Sequence, residues 1–86
     1  MLIKVLAAEG DLSSASNVDS ASVGRLYNGH SAALVITRKD SGGTTIGSFT
    51  LGTLQSIVIE KDYSDKLSAA SNGASVKAVK VAFTIS

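Results

Sequence analysis

Apolar and polar residues alternate along most of this chain, in short runs separated by turn-forming residues. The alternation is clearest in "VKAVKVAFTI" (76–85), where Val79, Val81, Phe83 and Ile85 share one face. Successive side chains of a strand point to opposite faces, so a period of two is typical of a strand. The same pattern predicts six strands in all: residues 2–8, 22–28, 32–39, 44–51, 54–61 and 76–85.

Turn-forming residues join these runs. Asn28-Gly29 is typical of a two-residue hairpin turn of type I′, because Asn and Gly tolerate the positive φ that this turn requires. Gly52-Thr53 is predicted to turn the chain again. Two longer segments, 9–21 and 62–75, are predicted to be irregular. Val18 anchors the first, and the second has room for one short helical turn with Ser64 as its N-cap.

The stretch "DSGGTTIG" (40–47) is the second predicted hairpin. Ser41–Gly43 closes the turn, and the side chain of Asp40 is placed to cap it. Ile46 falls out of phase with its neighbours in the returning strand, which indicates a β-bulge near Gly47. A hairpin, rather than a chemical site, is therefore expected here.

Strands that follow one another in short hairpin steps predict an all-β fold, a small antiparallel β-sandwich or barrel of about six strands. Eighty-six residues make a single domain, residues 1–86. Residues 22–84 form its body. Residues 1–8 are either the first strand of the domain's own sheet or an arm that adds a strand to a neighbour's sheet. Since the chain has no proline and few strand lysines, its sheet edges are expected to be open to pairing with another chain.

Composition narrows the classes of function. Eight Lys and Arg against seven Asp and Glu give a net charge of +1, which is no basic footprint for nucleic acid. The absence of cysteine excludes disulfides and thiolate metal sites, and His30 as the single histidine excludes a histidine cluster. A domain of this size has a thin core, so self-association or docking on a larger surface is the expected source of added stability.

The amino-terminal residues do not resemble a targeting segment. "MLIKVLAAEGD" lacks the basic region and cleavage site of a secretory signal, and no run approaches the ~18 apolar residues of a membrane span. We expect a protein that is not exported by a signal peptide and that has no membrane partner.

Candidate chemical groups are few. His30 and Ser31 are neighbours on a predicted turn, which does not make a catalytic triad, and no nucleophile elbow is present. Asp62 and Asp65 offer oxygen ligands, but their spacing matches no calcium loop, and capping a turn or pairing with a lysine is the preferred interpretation. We therefore predict no catalytic, cofactor-binding or metal-binding residue, no cofactor and no enzyme activity.

Two further patterns have a structural interpretation. "SGGTTIG" is rich in glycine but lacks the lysine and the following helix of a phosphate loop. Arg25, Arg38 and Tyr27 could stack on and pair with a nucleic acid, but Tyr27 is more simply explained as half-buried on the sheet. No nucleic-acid partner is expected.

Taken in order, four motifs resemble a known group of proteins. "GRLYN", "VITRKDSGGTTIG", "IEKDYSDKL" and "VKVAFT" are similar to the pattern of short β-rich structural proteins of tailed bacteriophages, especially marine and cyanobacterial phages. The likeness covers residues 22–84 and lies in the order of the motifs. The family pattern has a proline before Ser or Thr where this chain reads "KDYSD", a departure that concerns the local turn alone.

The resemblance implies a virion protein, in the first place a decoration or cement protein that stabilises the head by bridging capsid subunits. Its partners would be the major capsid protein or other virion proteins, and it would form a homo-oligomer, a trimer being one option. It would act on the capsid surface after assembly in the host cytoplasm. Alternatives are a neck, tail or fibre-associated virion protein, or a carbohydrate- or host-surface-binding module. The candidate contact residues are Met1, Leu2, Ile3, Lys4, Val5, Lys61, Asp62, Tyr63, Asp65 and Lys66.

Overall fold

A computed structural model describes residues 2–84 and contains eight strands and one short turn of 3₁₀ helix, Gly73–Ser75. All six predicted strands are present, and two short ones, β2 and β7, are additional. No α-helix occurs in the described part of the chain. The strands are β1 (Leu2–Val5), β2 (Gly10–Asp11), β3 (Val23–Asn28), β4 (Leu34–Lys39), β5 (Thr45–Leu51), β6 (Ser56–Glu60), β7 (Lys66–Ala69) and β8 (Val76–Thr84).

The strands form two antiparallel sheets that pack face to face. The larger sheet has the order β1-β8-β3-β6, and β2 also pairs with β8; the smaller has the order β5-β4-β7. Every recorded pairing is antiparallel. The prediction of an all-β fold is confirmed, and the architecture is the sandwich.

The core lies between the sheets and draws on both of them. Its buried members from strands are Leu26, Leu34, Ile36, Leu51, Leu67, Val76 and Ala78, and three loop residues, Leu12, Val18 and Ala21, complete it. Alternation along β4 shows the cause: Leu34 and Ile36 are buried, whereas Val35 between them is exposed. Alternate side chains of β4 thus face the core.

β8 is the central strand of the larger sheet, but its two faces differ from the sequence prediction. Val76 and Ala78 belong to the core between the sheets. Val79 and Val81 are also buried, yet they lie outside that core, on the outer face of the sheet. The side chain of Phe83 is not described, and Ile85 lies outside the described residues.

The hairpin predicted at Asn28-Gly29 is wrong. β3 pairs with β6 and β8, whereas β4 pairs with β5 and β7, so this segment carries the chain from one sheet to the other. Asn28 is fully buried, and its side chain organises the crossing. The Nδ2 atom donates to the carbonyls of Ala32 and Leu51, each at 3.0 Å, and Oδ1 accepts from the amide of His30 at 2.8 Å.

The second predicted hairpin is confirmed, together with its bulge. The Oδ1 atom of Asp40 accepts hydrogen bonds from the amides of Gly42 and Thr44, both at 2.9 Å. Gly43 has a φ of 91°, a backbone conformation that residues other than glycine rarely adopt. Ile46 is the extra residue of the bulge, because Arg38 pairs with Gly47 while the next residue of β4 pairs with Thr45.

The predicted helical turn after Ser64 is also wrong. Residues 66–69 form β7, which pairs with β4, and Leu67 is fully buried. The turn at Gly52-Thr53 is present, but it leads from β5 in one sheet to β6 in the other rather than into a paired strand.

The segment before β3 is more closely packed than the sequence indicated. Val18 is buried as predicted, and Leu12 and Ala21 join it in the core. Val18, Asp19 and Ser20 have φ values of 54°, 57° and 58°, so they form one left-handed turn. The amide of Ala21 closes it by donating to the carbonyls of Asn17 and Val18. Left-handed backbone costs an L-residue roughly 1–2 kcal/mol, so tertiary contacts must hold this turn.

Candidate functional site

The loop Lys61–Lys66 joins β6 of the larger sheet to β7 of the smaller one. It contains five of the contact residues that the sequence predicted, and the structure separates them into two sets. Lys61 and Asp65 are buried, whereas Asp62 and Tyr63 are exposed and Lys66 is half-buried. The buried pair holds the loop, and the exposed pair is what a partner can reach.

The side chain of Lys61 is buried and fixes the start of the loop through hydrogen bonds to backbone carbonyls. Only 4% of the residue is exposed, and Nζ donates to the carbonyl of Ala21 at 2.7 Å and to that of Asp62 at 3.2 Å. Burial lowers the pKa of Lys61 from its ordinary value, while the nearby carboxylate of Asp65 opposes this effect. The bond to Ala21 ties the loop to the left-handed turn before β3.

Asp65 fixes the end of the loop through an ion pair with Arg38. The Oδ2 atom accepts from Nε of Arg38 at 2.8 Å and from Nη2 at 2.5 Å. It also accepts from the amide of Asp62 at 3.3 Å. Arg38 shares a face of β4 with Leu34 and Ile36 and so points inward, at the end of the core.

Tyr63 stands at the top of the loop with 67% of its surface exposed. Beside it lies an open hollow of about 440 Å³, lined by Ser22, Val23 and the loop residues from Glu60 to Ser64. A large aromatic side chain is thus presented to solvent, between two buried charged residues that fix the backbone on either side.

Lys66 lies directly opposite Lys39 in the register of β7 and β4. The sequence indicated a partner for Asp62 or Asp65, but within the described chain the cation that pairs with them is Arg38. Two lysines at one cross-strand position repel each other. The register therefore places two lysines side by side at this end of the smaller sheet.

The second set of predicted contact residues belongs to β1. β1 pairs antiparallel with β8, from Leu2 opposite Thr84 to Val5 opposite Val81, so in this structure it lies in the domain's own sheet. Ile3 is 45% exposed and Val5 64%, and Lys4 is exposed between them. Met1 lies outside the described residues, and the side chain of Leu2 is not described.

The polar residues considered for chemistry do not converge. No group of three or more His, Asp or Glu side chains able to hold a metal ion occurs within residues 2–84. His30 uses its amide and carbonyl in the crossing after β3, accepting from the hydroxyl of Thr53. Asp40 serves the hairpin, and Arg25 and Tyr27 lie half-buried on β3.

Sequence reasoning missed the two residues that hold the loop from outside it. Arg38 is 27 residues from Asp65, and Ala21 is 40 residues from Lys61. No local pattern joins positions so far apart. The one available signal was Arg38 itself, a charge at an inward-facing position of a strand with "LVI" before it.

The protein is thus a small β-sandwich, and the features that a partner could contact are an exposed loop with Tyr63 and an exposed strand, β1. Comparison of the chain with protein-family models, with curated proteins and with solved structures finds no match. Across the described residues there is also no helix of the length and apolar character needed to cross a membrane.

Proposed function

We propose that this chain is a structural protein of a bacteriophage virion, a decoration or cement subunit that binds the outer surface of the capsid and bridges neighbouring capsid subunits. One observation carries the proposal: Tyr63 is 67% exposed on a loop that the buried Lys61 and the buried Asp65 hold in place. The motif order over residues 22–84, which includes this loop, supports the phage assignment.

The argument starts from the cost of the buried charges. Removing a lysine or a carboxylate from water costs several kcal/mol, and pairing returns only part of it. Buried charged residues therefore add little to the stability of a small domain, but their hydrogen bonds hold the surrounding backbone in one conformation. Here Lys61 and Asp65 fix the backbone on both sides of Tyr63. A preorganised loop loses less conformational freedom on binding.

The exposed residue is of the type that binding surfaces use. Tyrosine is enriched among the residues that contribute most to interfaces, because it buries a large apolar area and keeps a polar end. Asp62, which precedes it in the chain, and the paired lysines at positions 39 and 66 add charges of both signs to this part of the surface. These charges would set the orientation of the subunit on the capsid.

The mechanism would be mechanical. Each copy buries a modest area on the major capsid protein or another virion protein. Many copies on one shell, each spanning a junction, convert weak contacts into a large stabilisation. The protein would be added on the capsid surface during assembly in the host cytoplasm. No catalytic step, cofactor, nucleic acid or membrane takes part in this proposal.

Copy number tests the location. Quantitative mass spectrometry of purified particles, relative to the major capsid protein, should give hundreds of copies in a simple ratio. A dozen copies or fewer would place the protein at the neck or tail. Absence from particles would overturn the virion assignment.

Binding to isolated shells tests the site. Tyr63→Ala should weaken binding at least about tenfold, the loss expected for an interface anchor. Leu54→Ala is the matched control, because Leu54 is equally exposed, at 68%, on a different turn. Equal binding by both variants and the natural chain would exclude the Tyr63 loop as the contact.

A carbohydrate-binding module is the second candidate, favoured by the same hollow. Sugar rings stack on exposed aromatic faces, and carboxylates accept hydrogen bonds from sugar hydroxyls; Tyr63, Asp62 and Glu60 line one open hollow. Binding on a glycan array that Tyr63→Ala abolishes, together with absence from particles, would establish this function in place of the first.

A further inference from the structure

The free edge of β1 differs from the other sheet edges of the fold. The order of the strands leaves four edges: β6 on one side of the larger sheet, β1 and the two-residue β2 on the other side, and β5 and β7 in the smaller sheet. β7 is covered by a bridge in which Ser16 and Leu67 exchange two backbone hydrogen bonds, at 3.0 and 2.8 Å. The bulge at Ile46 interrupts β5. A covered edge and a bulged edge both resist pairing with another chain.

The edge of β6 is protected by its neighbour in the other sheet. Ile46 and Phe49 of β5 and Ile59 of β6 line one hollow of about 230 Å³, so these two edges face each other across the gap between the sheets. Apolar side chains of β5 therefore lie beside the edge strand β6. β1 lacks such a neighbour: it pairs with β8 alone among the described strands.

The backbone of β1 is arranged to accept another strand. The amide of Leu6 donates to the carbonyl of Lys80 at 2.9 Å, so this pair is hydrogen-bonded across the ladder. Hydrogen-bonded and open pairs alternate in antiparallel sheets, which makes Lys4 with Ala82 the next bonded pair. Ile3 and Val5 therefore direct their amides and carbonyls away from β8, toward the free side.

The side chains of the same two residues extend an apolar surface to that edge. Val5 lies opposite Val81, and Val81 is buried on the outer face of the sheet. Val23 follows on the other side of Val81, one step beyond the recorded pairing of Gly24 with Lys80. Val5 is the exposed end of this row, Ile3 lies beside it on the same face, and a strand next to β1 would cover both.

We propose that the free edge of β1 pairs antiparallel with β1 of a second copy of this chain. The free amides and carbonyls of β1 can form a ladder of hydrogen bonds only with another extended strand. A second copy of β1, running antiparallel, presents the same donors and acceptors and can pair with it. About a two-fold axis normal to the sheet, Ile3 and Val5 of both copies lie on one face. The net charge of +1 gives little repulsion between copies. This inference does not depend on the proposed function.

The register follows from the position of Lys4. Pairing centred on Lys4 would place two lysines directly opposite each other, which is unfavourable. Pairing centred on Val5 would extend into residues 6–9, where the regular strand has ended. The pairing centred on Ile3 keeps positions 2–4 of both copies paired within β1 and places Lys4 opposite Leu2. Such an isologous contact uses up the edge and closes at a dimer, whereas the resemblance to phage proteins implied a homo-oligomer with a trimer as one option.

Single-cysteine variants test both the partner and the register, since the natural chain has no cysteine. Across an antiparallel bonded pair the Cα atoms are about 5.5 Å apart, which a disulfide can span. Ile3→Cys should give a covalent dimer under mild oxidation at least about tenfold faster than Lys4→Cys, the matched control at the neighbouring position. Equal rates for the two would mean random collision and would overturn the register.

Light scattering after gel filtration tests the dimer itself. The natural chain should have twice the monomer mass, and Ile3→Lys should be a monomer that still unfolds cooperatively in urea, because Ile3 lies outside the core. A natural chain that is monomeric at millimolar concentration would overturn the proposal, as would a dimer that Ile3→Lys leaves intact. Tyr63→Ala should stay dimeric while losing shell binding, so the two proposals can fail separately.

Discussion

Arg38 and Asp65, on neighbouring parts of the smaller sheet, form an ion pair in which two guanidinium nitrogens donate to one carboxylate oxygen. Asp65 is buried, and Arg38 is the cation that pairs with it in the described chain. Arg38 in turn lies on the inward face of a strand. The end of the core is therefore occupied by an ion pair. An apolar side chain at this position would not have the cost of removing charges from water.

Removing one partner should therefore be more damaging than removing both. Arg38→Met leaves a buried carboxylate unpaired, and we expect a loss of about 3–5 kcal/mol in the free energy of unfolding. The double variant Arg38→Met with Asp65→Leu should lose clearly less. Urea unfolding of the single and double variants measures this difference. Additive losses would show that the two charges do not interact.

The buried Lys61 should make stability depend on pH in the alkaline range. Its folded pKa is lowered, so the unfolded chain binds the proton more tightly than the folded one. The cost of burying the charge is fully present below the folded pKa. It is relieved as pH rises from that value toward the ordinary value of 10.5, so this group makes stability increase across that window.

The matched variant for this effect is Lys61→Met, which keeps the length of the side chain. The urea midpoint of the natural chain, relative to that of Lys61→Met, should rise between neutral pH and about pH 10.5. A constant or falling difference would show that burial of Lys61 does not lower its pKa.

The opposed lysines at positions 39 and 66 offer a stabilising substitution. Lys66→Glu replaces a repulsive cross-strand pair with an attractive one, worth roughly 0.2–1 kcal/mol. Lys66→Gln removes the repulsion alone and should give a smaller gain. Thermal unfolding at low salt measures both, and the gain should shrink at high salt. If Lys66 contributes to a partner contact, Lys66→Glu will be more stable and bind shells less well.

Asn28 should be one of the residues least tolerant of change. Asn28→Asp keeps the shape but places a carboxylate oxygen against the carbonyls of Ala32 and Leu51. We expect a loss of at least about 2 kcal/mol, because a buried group is left without its partner. Asn17→Asp is the control, since it is an exposed asparagine on another turn. Equal urea midpoints for the two variants would contradict the role of Asn28.

Asn28 also shows why the strands on either side of it could be predicted but the connection between them could not. The alternation around it identifies β3 and β4 correctly, since each period is local. The dipeptide Asn28-Gly29 fits a hairpin turn equally well. What decides against the hairpin is the buried bond from Asn28 to Leu51, 23 residues away. A local pattern contains no information on such a partner, so the crossing between sheets was missed.

The hairpin at Asp40 is the opposite case. Its cap, its left-handed glycine and its bulge all depend on residues within eight positions of one another, and all were predictable. β7 was not predicted because it has only four residues, of which only Leu67 and Ala69 show the apolar alternation of a strand. The stretch "SDKLSAA" was interpreted as a helical turn instead. In the candidate site, the loop was identified from its residues, whereas its anchors Arg38 and Ala21 required the fold.

The pairing of Leu2 with Thr84 has a practical consequence. Residues directly opposite each other on antiparallel strands have Cα atoms about 5 Å apart, so the two ends of the described chain meet at one corner of the sandwich. A short linker between them should allow circular permutation, with new ends opened in the exposed turn at 41–43. A cargo joined directly to Leu2 or to Thr84 would leave from that same corner, which makes the fold a compact carrier for display at a single point.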